Sequence, residues 1–145
     1  MSSFTDHLSF SIYKKGLYKT RTEFVFYYND DKTGEYLIVP AGTIFNGASI
    51  PKPIQKLFNW NPIDPRWVQA SVVHDCLVGE FTLRSFVVNA EQKTIRQLSW
   101  NEAAKWFDKA LKVKTSYNNC PKEYRHTFVL AVRFYGILKN FFVRN

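Results

Sequence analysis

A chain of 145 residues is long enough to bury one core and too short for two, and 17% aromatic content, with 13 Phe, 8 Tyr and 4 Trp, excludes a disordered chain and predicts a core of large rings. A formal net charge of +8 admits a nucleic-acid partner, but the 20 basic residues are spread along the whole length rather than gathered in one block. The two cysteines, Cys76 and Cys120, lack Cys-x-x-Cys spacing and are expected to be free thiols, and no uninterrupted apolar run reaches membrane-spanning length.

In chain order, Leu8 to Tyr13 alternates as a strand that Lys14-Lys15-Gly16 ends. Thr22 to Tyr28 and Tyr36 to Val39 are aromatic and β-branched, and the turn formers from Asn29 to Glu35 join them into a hairpin. Pro40, Gly42 and Gly47 then break regular structure, Gly47 at a turn that requires positive φ or close backbone approach. The four prolines between Pro51 and Pro65 mark an irregular connector with one helical turn at Ile54 to Phe58, placing Phe58 and Trp60 over the sheet.

Asp64-Pro65 predicts a helix start, with Asp as cap and Pro in the first turn. Trp67, Ala70, Ser71, His74 and Leu77 share one face of that helix, while Val68, Val72, Val73 and Cys76 cover most of the rest, so it is expected to be central. Phe81 to Leu98 changes period and reads as a second, more exposed hairpin. Ser99-Trp-Asn-Glu102 is a capping box opening a helix over 100–112 with Trp100, Ala103, Ala104, Phe107 and Leu111 on its apolar face. On its polar face Glu102 stands three before Lys105 and Asp108 four before Lys112. Pro121 opens a last helix to about Phe142, striped by Tyr124, Phe128, Ala131, Tyr135 and Leu138 with Phe134 and Phe141 adjoining.

The predicted fold is α+β and a single domain over residues 1–145: a small antiparallel sheet from the N-terminal third, packed against three helices, with a hairpin of about 81–98 inserted between the first two. That hairpin is expected to protrude and carry partner contacts rather than join the main sheet: its apolar residues exceed what a free two-stranded ribbon can bury, so another copy of the chain or a different protein would cover them. Phe81, Phe86, Val88 and Ile95 are its candidate partner-binding residues, and the Trp60 region is a second exposed candidate.

Val39-Pro-Ala-Gly42, Asn46-Gly-Ala-Ser-Ile-Pro51, Ala70-Ser-Val-Val-His74-Asp75, Phe107 and Ala131-Val-Arg133 with Gly136 form a set. Over about residues 36–138 it resembles the small proteins, common in bacteriophage genomes and prophages, catalogued as domain-of-unknown-function family 1353. Against the pattern of that family, Asn46 stands where the resemblance implies a loop Asp, Val78 where it implies Tyr, and Ala104 where it implies an Asp on the second helix. The scaffold positions match while three polar ones do not.

His74-Asp75 is the candidate reactive centre, since an imidazole can act as a general base and an adjacent carboxylate can hold a metal or orient water. The pair is similar to the His-Asp arrangement of phospholipase A2 enzymes, but those use a further Asp to orient the His, and Ala104 occupies the best-placed position here. His126, Glu123 and Glu80 lack zinc-ligand spacing to His74. The favoured reading is structural: His74 bonds the loop from Asn46 to Ser49, and Asp75 pairs with Arg133, a cation in an otherwise apolar stretch.

The functional expectation is a phage-encoded accessory protein acting by protein binding, as a virion or assembly component or a host-interacting factor. Its expected location is the host cytoplasm or the virion, with a protein partner or a second copy and with no cofactor, no metal and no membrane. The alternatives are a divergent metal-dependent hydrolase using His74 and Asp75, and a basic nucleic-acid-binding protein.

Overall fold

The computed structural model describes residues 2–47, 56–57, 59–79 and 84–144, with the side chains of the last helix as far as residue 134. Of the helical turn expected at Ile54 to Phe58, residues 56–57 are described and are helical; Ser49, Glu80 and Phe81 lie outside the described residues. Among the described residues the elements run β1 Ser3–Phe4, β2 Phe10–Lys14, β3 Leu17–Thr20, β4 Phe24–Tyr27, β5 Glu35–Val39, β6 Ile44–Phe45, α1 Val68–Val78, β7 Val87–Asn89, β8 Ile95–Arg96, α2 Trp100–Leu111 and α3 Lys122–Arg144. The fold is α+β.

The strands form two antiparallel sheets, in the orders β1-β4-β5-β7-β8 and β2-β3-β6. Alternation along β4 and β5 turns Phe24, Phe26, Leu37 and Val39 into the core, with Phe24 opposite Val39 and Phe26 opposite Leu37. Two expectations are corrected here. The strand near Leu8 to Tyr13 does not join the β4–β5 hairpin; as β2 it pairs with β3, a strand the sequence reading lacks, after a turn at Gly16 with φ +76°. The inserted hairpin does not protrude either. Its strand β7 pairs with β5 and β8 with β7, so the hairpin completes the main sheet, and both Val87 and Leu98 are fully buried. The physical reason is the one that made protrusion costly: pairing on the open edge of β5 satisfies backbone groups and places Val87 in the core.

A single arginine secures that edge. Arg96 on β8 donates to both carboxylate oxygens of Glu35 at 2.8 Å and to Glu102 at 2.6 Å, tying β8 to β5 and to the start of α2. The capping box forms as expected, with Ser99 Oγ accepting from the Glu102 N–H and Glu102 accepting from the Ser99 N–H. Glu102 is therefore engaged by Arg96 rather than by Lys105, and the Arg96 guanidinium holds its carboxyl below the usual range. Asp108 does pair with Lys112 at 3.1 Å and also meets Arg125 of α3 at 3.3 Å.

Every residue of α1 is buried, which makes it the central element. It begins at Val68, three residues later than Pro65, because the Asp64 carboxylate accepts from the Arg66 N–H at 2.9 Å and from the Arg66 guanidinium, closing a turn before the helix. It ends at Gly79 in the left-handed conformation, φ +68°, which only Gly adopts without strain. Trp106 of α2, missed by the apolar stripe, is buried against Phe26 at 5.7 Å. Trp60, expected at the surface, lies inside: its ring meets Tyr124 at 4.3 Å and Phe128 at 5.4 Å. On α3 the core is met by Phe128, Val129 and Val132, while Leu130 and Phe134 are exposed; Tyr135, Leu138 and Phe141 lie beyond the described side chains.

Candidate functional site

His74 and Asp75 occupy consecutive positions on α1 and so point roughly 100° apart around its axis. His74 turns toward α2, its ring 5.3 Å from that of Phe107. Asp75 turns toward the chain leaving β6, where its Oδ2 accepts from the Asn46 backbone N–H at 3.3 Å. With the Asn46 amide nitrogen directed at the same oxygen, a second bond of 3.1 Å forms, and a third from that nitrogen reaches the Gly47 carbonyl at 3.1 Å. Asn46 is thus a donor to Asp75. An Asp at this position would set two carboxylates against each other.

Gly47 holds this turn against the connector. Its φ is +87°, and a Cβ built there would sit 2.6 Å from the Pro62 carbonyl oxygen. Both parts of the sequence argument for this glycine, positive φ and close approach, hold together.

The structure brings Asn46, His74 and Asp75 together and leaves Arg133 elsewhere. Arg133 is exposed. It follows Val132, which is buried, and one residue along a helix is a rotation of about 100°, so the side chain leaves the core face. The buried pair of Asp75 with Arg133 is therefore corrected: Asp75 is engaged by the Asn46 backbone and amide. His126 and Glu123 are also exposed on α3, away from this cluster. Among the described residues no group of three His, Cys, Asp or Glu side chains is arranged to hold a metal ion.

Burial pushes the His74 imidazole down to about 4. The ring is neutral at physiological pH, and its 4.0 Å approach to Asp75 is not an ion pair. Its Nε2 is buried without a hydrogen-bond partner among the described residues. A catalytic base must be reachable by the proton it removes, and His74 is 5% exposed. Burial likewise pushes the Cys76 thiol up to about 11, beside the Ser85 hydroxyl at 2.9 Å, and Cys120 up to about 12, so neither supplies a thiolate near neutral pH.

The depressed His74 value has a consequence for stability. Between the ordinary value of 6.5 and about 4 the unfolded chain binds a proton that the folded chain refuses. Stability is therefore complete above about pH 6.5 and falls as pH drops through this window, by about 2 kcal/mol between pH 7 and pH 5. His74→Leu should flatten that part of the profile in urea titrations at the two pH values. An unchanged slope would show that His74 is not the group responsible.

A feature that sequence reading missed is a cleft of about 350 Å³ lined by His7, Leu8, Phe10, Ile63, Pro65, Val68, Gln69 and Tyr117. Gln69 of α1 donates to the Asp6 carbonyl at 2.8 Å, and the rings of His7 and Tyr117 meet edge to face at 4.5 Å. Its walls are separated by up to about a hundred residues, and no local motif signals it.

Among the described residues no helix is long and apolar enough to cross a membrane. The family model described as Protein of unknown function (DUF1353) matches residues 21–127, from just before β4 into the first turns of α3. No curated protein and no solved structure matches the chain.

Proposed function

From the premise that the chain belongs to the family Protein of unknown function (DUF1353), we propose that it is a phage-encoded accessory protein acting by protein binding, as a virion or assembly component or a host-interacting factor. The phage setting rests on the sequence resemblance. The binding mode rests on one observation, the outward face of the five-stranded sheet. Where an antiparallel sheet meets water its outward positions are normally polar. Here Tyr27, Tyr36, Val88 and Ile95 stand opposite one another in an unbroken row across β4, β5, β7 and β8. Val25 opposite Ile38 adds a second row, and Phe86 precedes β7. Ile38, Phe86 and Ile95 are 40%, 49% and 63% exposed. A contiguous apolar face of this kind supports a protein contact.

The test is a Val88→Lys/Ile95→Lys double variant, compared with the parent by mass spectrometry of purified particles and by cross-linking in infected cells. Outward substitutions of this type should change stability by only about 0.5 kcal/mol, while a partner recovered in fixed ratio with the parent is lost. A partner retained by the double variant, or none in either particles or infected cells, overturns the proposal.

A further inference from the structure

A second surface differs from this apolar face in charge, in backbone chemistry and in location. Strand β2 is an edge of the three-stranded sheet, paired with β3 on one side. The Arg21 N–H donates to the Ser9 carbonyl, and on the other side of β3 the Thr20 N–H donates to the Thr43 carbonyl, so residues 19 and 21 of that strand face β2. Because bonding pairs alternate along an antiparallel ladder, Ser9 and Ser11 bond β3, and Phe10 and Ile12 direct their N–H and C=O groups to the open side. Ile12 is 79% exposed. An edge with free backbone groups is a template for one more strand.

Two features flank that edge. At its start Leu8 and Phe10 line the apolar cleft. At its end are Lys14 and Lys15, and Lys19 stands beside it on β3, opposite Ser11; all three are exposed, with the ammonium groups of Lys14 and Lys19 5.3 and 5.8 Å from the Tyr13 ring. None of the three lysines makes an ion pair with a carboxylate among the described residues. At about 3.3 Å per residue Lys14 is roughly 13–20 Å from the cleft residues Phe10 and Leu8 along the strand, with the Lys19 position between them, opposite Ser11.

We propose that the edge of β2 binds an extended acidic segment of a partner protein by strand addition, with an apolar side chain of that segment in the cleft and its carboxylates on Lys14, Lys15 and Lys19. In such binding, main-chain bonds supply affinity and pockets for alternate side chains supply specificity. The lysines decide among occupants. A second copy would bring the same lysines and the same +8 charge against them, whereas an acidic strand neutralises them. The inference shares with the proposed function only the class of partner, and it is tested on purified protein, so either can fail alone.

The experiment measures fluorescence anisotropy with labelled Glu-Glu-Thr-Val-Thr-Phe-Val and with the same residues in reverse order, since a strand can add in either direction. Controls are the peptides with Lys for Glu and a 12-nucleotide thymidylate strand. One acidic peptide should bind saturably and weaken at least tenfold in Ile12→Pro, which removes an outward N–H and leaves the β3 ladder intact. Because proline could disturb the ribbon, the charge variant Lys14→Glu/Lys15→Glu/Lys19→Glu is a second reading and should also weaken binding at least tenfold. The inference is overturned if neither acidic peptide binds, if both variants bind as the parent does, or if a Lys control or the thymidylate strand binds as tightly. A parent dimer that Ile12→Pro dissociates would assign the edge to a second copy and overturn it as well.

Discussion

Trp67→Ala is expected to lower the unfolding free energy by about 3–5 kcal/mol, the range for deleting a fully buried large aromatic. Trp67 is 0% exposed and its ring contacts Phe128 at 5.1 Å, Tyr124 at 5.8 Å and Trp60 at 6.4 Å, joining the connector to α1 and α3. Its indole N–H also donates to the Asn61 carbonyl at 2.9 Å, fixing the turn that leads into a helix with no side-chain cap of its own. Alanine removes the packing and the bond at once, and three rings cannot close the space from fixed backbone positions. Trp67→Phe keeps most of the ring and loses the bond, so its cost should be nearer 1 kcal/mol. Urea unfolding followed by circular dichroism measures both. If the alanine variant lost less than 1 kcal/mol, the cluster would not be what joins the connector to the helices.

Gly47→Ala is expected to cost about 3 kcal/mol, combining a non-glycine residue in the left-handed region with a close contact to backbone. The new methyl would lie 2.6 Å from the Pro62 carbonyl oxygen and 2.9 Å from its carbonyl carbon, and backbone cannot swing aside as a side-chain tip does. Relief requires the turn to move, carrying Asn46 away from the Asp75 carboxylate it satisfies. Gly16→Ala is the control: φ is +76° there, but nothing lies within 4 Å, so only the conformational cost of about 1–2 kcal/mol remains. Thermal unfolding of the two variants separates strain from contact. Equal losses would mean that the approach to Pro62 contributes nothing.

Local chemistry alone determined much of this protein. The capping box at Ser99 and Glu102, the β4–β5 hairpin, the all-round apolar helix around His74 and the positive φ at Gly47 depend on neighbours within a few residues or on a glycine with no Cβ, so each was legible in the sequence. What the sequence could not decide were matters of which distant surface meets which. The pairing of β7 with β5, the burial of Trp60, the outward rotation of Arg133 and the engagement of Asp75 by Asn46 depend on contacts between segments tens of residues apart. Periodicity marks an apolar face without saying what covers it. A buried carboxylate, in the same way, demands a partner without specifying whether that partner is a guanidinium or an asparagine and its backbone N–H; the tertiary structure made that choice because the turn after β6 reaches Asp75, while the Arg133 position on α3 faces water.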